Sequence, residues 1–361
     1  MKKLVVLIAA LTCVFGLCAQ SMTESSASSE SRGQAYDREE LKKQFLALAD
    51  EVIVNEDSVT FSDSSDAETV TIKKNPQKVY NLYASFTTLW YEAGGTAAGV
   101  IGGSSSAATY ETYTGRDISK DEGVEVLATS SSGSKWSTEK IIAGNPDLII
   151  CSTAMNGYKT IKAPAAAAGI PVIAVTYNSF SDYLKWFKVF CNISGHPELW
   201  ESVALKALED VLDVIMEVPL DNNPTVFIMF TAAGKKLQAN LDGTVVGDMA
   251  KILRAKNIAY SAALDESGAE RVDINLEAVY AAQPDIIMVQ CHGEIEDAKK
   301  QVADELGGTA IWQSLDAVKA DKVYYLEKLF FHNKPNSRFA EAYQMMAQML
   351  YPEVHFSFQD K

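Results

Sequence analysis

Aromatic rings and cations stand together on the segments that follow the chain's short apolar runs. The aromatic members are Phe86, Tyr110, Tyr113, Trp136, Tyr158, Tyr177, Phe330 and Phe331, and the cationic ones are Arg116, Lys135, Lys235, Lys236, Lys334 and Arg338. Rings offer flat apolar area to a planar or macrocyclic ligand. Cations pair with carboxylates, phosphates or catecholates. Any single member could equally be a packing or solvated residue, so the expectation rests on the set. The chemistry is that of binding. The sequence has no G-x-S-x-G elbow and no HExxH helix, and Gly102–Ser106 and Ser130–Ser134 match neither GxxxxGK[ST] nor GxGxxG. No catalytic residue is expected, and the chain reads as a non-enzyme.

Histidines are few. His196 falls in a helix break and His355 in the tail, where both read as surface groups, whereas His292 and His332 fall on loops of the second half that face the expected cleft. A zinc or manganese site needs several histidines and carboxylates converging, and four histidines are too few for the usual arrangement, so no protein metal site is expected. Cys151, Cys191 and Cys291 form no CxxC pair, which predicts free thiols and no disulfide framework.

These residues need elements to hold them, and the clearest is one that recurs. Ser137–Ile150 carries Glu139, Pro146 and Asp147 ahead of the run Leu148–Ile150; Asn275–Val289 carries Glu277, Pro284 and Asp285 ahead of Ile286–Val289. Both offsets (277 − 139 and 284 − 146) equal 138. In each copy a short helix is stopped by proline and followed by an apolar burst of strand length. Continuous apolar strands suit a parallel sheet covered on both faces. One helix–turn–strand unit used twice, a domain length apart, predicts two similar lobes with a cleft between them. The fold class expected is α/β, with two Rossmann-like lobes of mostly parallel sheet flanked by helices. Ligands of such sheets sit beyond the carboxyl ends of the strands. That rule selects Phe86, Tyr110, Arg116, Trp136, Tyr158 and Tyr177 from the first lobe. From the second it selects Lys235, Lys236, His292, His332 and Arg338, with Lys334 beside them.

The rest of the 361 residues fit this plan. Residues 1–19 have the Lys2-Lys3 start and apolar Leu4–Leu17 core of an export signal, with Cys18 a candidate for lipidation although Leu17 departs from the usual lipobox. Residues 20–36 are a Ser-rich tether. Residues 37–75 read as a helix and hairpin decorating the lobes, 76–178 as the N-terminal lobe, 179–218 as a long linking helix interrupted at Gly195-His196-Pro197, and 219–361 as the C-terminal lobe. Hydrophobic content of 47% with 22% charged residues is ordinary for a globular chain. A net charge of −15 argues against nucleic acid or anionic lipid as a partner, leaving a lipid anchor as the only membrane contact.

Over roughly residues 76–352 the chain resembles the type III periplasmic substrate-binding proteins of ABC importers, the group that carries iron-siderophores, haem and cobalamin. The resemblance rests on Val79–Gly94, Glu139–Ile150, Gly169-Ile170-Pro171, Asp242–Met249, Asn275–Val289, Trp312 with Val318–Val323, and Lys334–Tyr343. It implies two α/β lobes joined by one long helix, a monomeric extracytoplasmic protein, periplasmic or on the cell surface, and delivery of ligand to a permease and its ATPase. It also implies one surface glutamate per lobe docking onto permease arginines, at positions Glu139 and Glu277. A carboxylate opening a helix also complements the helix dipole, which is the competing explanation for both. The protein needs no cofactor of its own, because the ligand itself brings iron or cobalt; His292 and His332, with a tyrosine, are residue types that hold haem iron. The alternatives are a secreted metallocluster or chelatase-like two-lobed protein, a binder of another small solute, and an adhesion or scaffold protein.

Overall fold

The structure, a computed structural model, describes residues 35–64, 69–130, 136–260 and 268–360. The export signal, residues 20–34 of the tether, Cys18 and Lys135 lie outside the described residues. Gln34–Lys361 forms one compact unit.

The chain enters through helix α1 (Arg38–Asp50), capped by Asp37, whose carboxylate accepts from Glu40 N. Leu41, Phe45 and Ala49, four residues apart, form its buried face. An antiparallel sheet of β1 (Ile53–Val54), β2 (Ser58–Ser62) and β3 (Thr69–Lys73) follows. The segment is no mere decoration. Its apolar residues Leu41, Phe45, Val59, Phe61 and Ile72 belong to the main core, and Arg38 and Lys42 form ion pairs with Glu209.

The N-terminal lobe is a five-stranded, wholly parallel sheet in the order β6-β5-β4-β7-β8. Its elements are β4 (Val79–Asn81), α2 (Ala84–Glu92), β5 (Gly99–Ile101), α3 (Ser104–Thr114), β6 (Glu125–Ala128), α4 (Thr138–Ala143), β7 (Leu148–Ser152), α5 (Asn156–Ala167) and β8 (Val172–Val175). All five residues of β7 are buried, as its continuous apolar sequence requires. At the sheet edge, Ser64 N donates to Ala174 O at 2.9 Å, so the N-terminal segment covers β8.

The connection between lobes is helical in two pieces. Helix α6 (Phe180–Ser194) is capped by Ser179 and ends at Gly195, whose φ of 86° an ordinary side chain would resist. A Cβ there would also meet Asn75 Oδ1 at 2.2 Å. Pro197 follows, then a π-helical stretch Trp200–Leu205 and α7 (Lys206–Met216). The single long helix that the resemblance implies is thus broken where the Gly-His-Pro sequence stands. Helix α6 buries Phe180, Tyr183, Trp186, Phe187 and Phe190 in the core and keeps a narrower polar stripe, Asp182, Lys185 and Lys188, partly exposed.

The C-terminal lobe has a six-stranded mixed sheet in the order β12-β10-β9-β13-β14, with β11 also paired to β9. Strands β9 (Thr225–Thr231), β11 (Lys256–Asn257), β13 (Ile286–Cys291) and β14 (Val323–Leu326) pair in parallel. Strands β10 (Gln238–Asn240) and β12 (Arg271–Asp273) run antiparallel at one edge. Helix α8 (Val245–Ile252), the helix Leu276–Ala282 and the closing helix Phe339–Leu350 flank the sheet.

The repeated unit recurs in three dimensions. Glu139 and Glu277 are each the second residue of their helix, after N-caps Ser137 and Asn275 that accept from Lys140 N (3.3 Å) and Ala278 N (3.0 Å). Asn145 and Gln283 both turn the chain with positive φ, 45° and 42°. Asp147 then accepts from Lys78 N at 2.9 Å and Asp285 from Thr225 N at 2.8 Å, so each aspartate braces the start of the neighbouring parallel strand.

Candidate functional site

The carboxyl ends of the parallel strands in the two sheets face a cavity of about 290 Å³. Tyr83, Phe86, Ser152, Thr153, Tyr177 and Asn178 line it from the N-terminal lobe, on the segments after β4, β7 and β8. Thr244, Glu270, Arg271, Gln290, Phe331, His332 and Lys334 line it from the C-terminal lobe. Its position follows the carboxyl-end rule for open α/β sheets.

The first lobe contributes mainly rings and hydroxyls. Phe86 and Tyr177 stack 6.4 Å apart with planes 7° from parallel. The Tyr177 hydroxyl is buried without a hydrogen-bond partner. Thr153 and Thr176 hydroxyls meet at 2.5 Å. The second lobe contributes charge. Arg271 lies over the Phe230 ring at 4.1 Å, and its Nε donates to Asn240 Oδ1 at 2.8 Å. Asn240 in turn donates to Gln290 Oε1 at 2.9 Å, and Gln290 Nε2 donates to Phe331 O. This buried chain fixes the guanidinium before any ligand arrives. Loss of water holds Arg271 below its usual range, with Glu270 opposing the drop. Lys334 sits over the Tyr177 ring at 5.2 Å. Withdrawal from water lowers its ammonium to about 8, against the pull of Glu270 and Asp182. Asn178 Nδ2 donates to Glu270 Oε1 at 2.8 Å, a direct hydrogen bond between lobes. Arg271 and Lys334 face a single carboxylate, Glu270, so the walls are net cationic in a chain of net charge −15. Such a site favours an anion.

His332 and His292 lie with ring centroids 4.5 Å apart, and Phe230 packs against both. Burial, then the neighbouring His292, pushes His332 down to about 3, and burial also lowers His292. Both rings are therefore neutral donors at physiological pH, and His332 Nδ1 is buried without a partner. His332 lines the cavity; His292 and Lys235 line an adjoining surface groove of about 450 Å³.

Phe86, Tyr177, His332 and Lys334 thus come together, while other expected members lie elsewhere. Tyr110 is wholly buried and its hydroxyl donates to Ile101 O at 2.7 Å, tying α3 to β5; it is a core residue. Arg116 is paired with Asp121 at 3.0 Å on a different face. Trp136 donates to Ser130 O at 2.9 Å and packs with Tyr158 on the core of the N-terminal lobe, not in the cavity wall. Lys236 is exposed. Arg338 is held in a fork by Glu341, at 2.7 and 2.6 Å, and lies over Phe330. Sequence reasoning missed Glu270, Arg271 and Gln290. Arg271 opens an antiparallel strand, which the carboxyl-end rule does not select; its only signal was a charged pair before a short alternating run.

Glu139 and Glu277 are both exposed. Cys151, Cys191 and Cys291 are free and buried, and burial pushes the Cys191 and Cys291 thiols up to about 12 and about 11. Among the described residues no group of three or more His, Cys, Asp and Glu could hold a metal ion, and no helix is long and apolar enough to cross a membrane.

Comparison with known proteins agrees with this geometry. A Bacillus subtilis ABC transporter substrate-binding lipoprotein, YvrC, is 26% identical over 305 residues, covering 82% of this chain and 86% of its own. The crystal structure of Staphylococcus aureus IsdE complexed with haem superposes with a TM-score of 0.61 at 18% identity, covering 76% of this chain and 98% of that one. The periplasmic vitamin B12 binding protein BtuF of Vibrio cholerae gives a TM-score of 0.60 at 18% identity, over 79% of this chain and 99% of that one. The two structures share the fold. Residues 82–329, more than half of the chain, match the periplasmic binding protein family, and the chain belongs to that family, the extracytoplasmic substrate-binding components of ABC transporters rather than enzymes.

Proposed function

We propose that the protein captures an anionic, metal-bearing ligand of the iron-siderophore, haem or corrinoid class in the inter-lobe cavity and hands it to its permease. The observation that supports this reading is the pairing of two cations, Arg271 and Lys334, with the aromatic walls Tyr83, Phe86, Tyr177 and Phe331. The cations meet the ligand's carboxylates or catecholate oxygens, the rings cover its planar part, and the neutral His332 ring offers a nitrogen to its metal. Glu139 and Glu277, equivalent on the two lobes, are the proposed contacts to permease arginines. A ligand bridging the lobes replaces or reinforces the Asn178–Glu270 bond, so loaded and empty forms differ in lobe spacing and the permease can tell them apart.

A second reading is favoured by size. At about 290 Å³ the cavity lies at the lower edge of small-molecule pockets, roughly 300–1,000 Å³. It takes a small metal-free anionic solute such as a carboxylate whole, which is the second reading, or a macrocycle only by its anionic edge. Visible absorption titrations with haem, cobalamin and ferric siderophores separate the two. A saturable spectral shift or fluorescence quenching with one of them supports the first reading. Silence with all three, together with calorimetric binding of a small carboxylate, establishes the second.

A further inference from the structure

Among the described residues, Glu270 is the one acidic side chain that lines the inter-lobe cavity. It stands immediately before β12, and its carbonyl accepts from Leu241 N at 2.9 Å, which fixes its backbone beside the end of β10. Its side chain is 44% exposed, so its torsions have room to carry the carboxylate out to solvent. In the structure the carboxylate lies inward. Oε1 accepts from Asn178 Nδ2 of the opposite lobe at 2.8 Å, and Oε2 stands 3.7 Å from Arg271 Nη1. The second contact is an ion pair too long for a hydrogen bond.

Arg271 uses Nε for Asn240, so its Nη groups are the ones that an anion would engage. Burial lowers the Lys334 ammonium, and the charge of Glu270, ahead of that of Asp182, opposes the drop. Asp182 is committed elsewhere. Its Oδ2 accepts from Asn178 N at 2.8 Å and from the Ser179 hydroxyl at 3.0 Å, at the start of α6. Glu270 is therefore the counter-charge that the cavity itself gives to its two cations. A carboxylate there can act in one of two opposed ways. It can accept from a donor group on the ligand, or it can stand in for the ligand's own anion. Its bond to Asn178 and its facing of both cations favour the second.

We infer that Glu270 is a tethered counter-anion that competes with the ligand: it neutralises Arg271 and Lys334 while the cavity is empty, and an incoming anion has to displace it, a role that rests on the reading of the cavity as an anion site. Glu270 thereby sets how strongly charged a ligand must be to enter. Its departure also breaks the Asn178 contact between lobes.

The test is titration of the full mature chain and its Glu270→Gln variant with haem, a ferric catecholate siderophore and citrate, followed by absorption or calorimetry at a temperature where both proteins are folded. Glutamine keeps the size of the side chain and an oxygen for Asn178, but removes the charge. Glu270→Gln is expected to bind the anionic probe about three- to tenfold more tightly. Weaker binding overturns the proposal in favour of Glu270 as partner to a donor on the ligand. Equal binding overturns it because the carboxylate then does not compete. Asn178→Ala removes the bond between lobes and keeps the charge, and a smaller gain is expected from it. A gain equal to that of Glu270→Gln would assign the effect to the lobe contact and overturn the proposal.

The ligand-free protein gives a second answer. In NMR titration of the lysine side chains, the Lys334 signal is identified by its loss in Lys334→Arg. Its ammonium is expected to titrate at lower pH in Glu270→Gln than in the unaltered protein, because the removed charge favours the protonated form. An unchanged midpoint rejects the pairing. If neither protein binds any of the three probes, the reading of the cavity as an anion site fails, whereas a lower Lys334 midpoint in that case still upholds Glu270 as the cavity's own counter-anion.

Discussion

The two lobes agree where they face outward and differ where they face each other. On the outside, each presents a capped helix with glutamate at its second position, a positive-φ turn, a proline, and an aspartate that braces the next parallel strand. At the cavity the N-terminal lobe offers rings and hydroxyls, while the C-terminal lobe offers Glu270, Arg271, His332 and Lys334. The difference has a topological source. The N-terminal sheet is wholly parallel, but the C-terminal sheet adds the antiparallel strands β10 and β12 at one edge. That edge puts Arg271 opposite Asn240 and so brings a half-buried guanidinium to the cavity. A repeated unit can thus keep one matched outer face while a local change of strand direction adds a cation to the inner one.

This asymmetry can be broken in order of effect. The double variant Arg271→Ala/Lys334→Ala should weaken an anionic ligand by about 100-fold or more, since each charge-assisted contact contributes roughly 1.5–3 kcal/mol. Thr153→Ala in the opposite wall should cost less than about fivefold, and calorimetry on both measures the contrast. Glu139→Ala/Glu277→Ala should leave ligand affinity unchanged while uptake in cells falls about tenfold or more, because charge pairs at an interface set partner recognition. Normal uptake by that variant would reduce both glutamates to helix-dipole partners.

Proton linkage sharpens the same contrast. The Lys334 ammonium is lowered to about 8, so its charge is present below that pH and lost as pH rises through it. Affinity for an anion should then fall above pH 8, by at most about tenfold per pH unit for one proton, and Lys334→Arg should flatten the profile. The smallest effect tests the equivalence of the outer faces. Asp147→Ala and Asp285→Ala should each destabilise by about 1–2 kcal/mol in urea unfolding, with closely similar values.

Much of this arrangement was legible in the sequence. The repeated unit could be read because its signals are local: a capping residue, a proline stop and an unbroken apolar run. Phe86, Tyr177, His332 and Lys334 could be placed because they follow parallel strands. Tyr110 and Arg116 follow a parallel strand too, but position along the chain does not say which way a helix turns its side chains. Tyr110 points inward to close on Ile101 O, and Arg116 finds Asp121 nearby. Arg271 and Glu270 were hidden because an antiparallel edge strand reverses the rule. The amphipathic pattern of α1 was plain, but its cover was not: pairing with Glu209 and burial of Phe45 make it part of the core.

The central claim is that the charged wall of the C-terminal lobe holds the ligand. The most direct test is the dissociation constant of one spectroscopically visible ligand (haem, cobalamin or a ferric siderophore), measured at pH 7 for the unaltered protein and for Arg271→Ala/Lys334→Ala. A loss of about 100-fold, measured at a temperature where both proteins are folded, is the predicted result. Equal affinity of the two proteins would contradict the account and move ligand recognition to the aromatic wall of the N-terminal lobe.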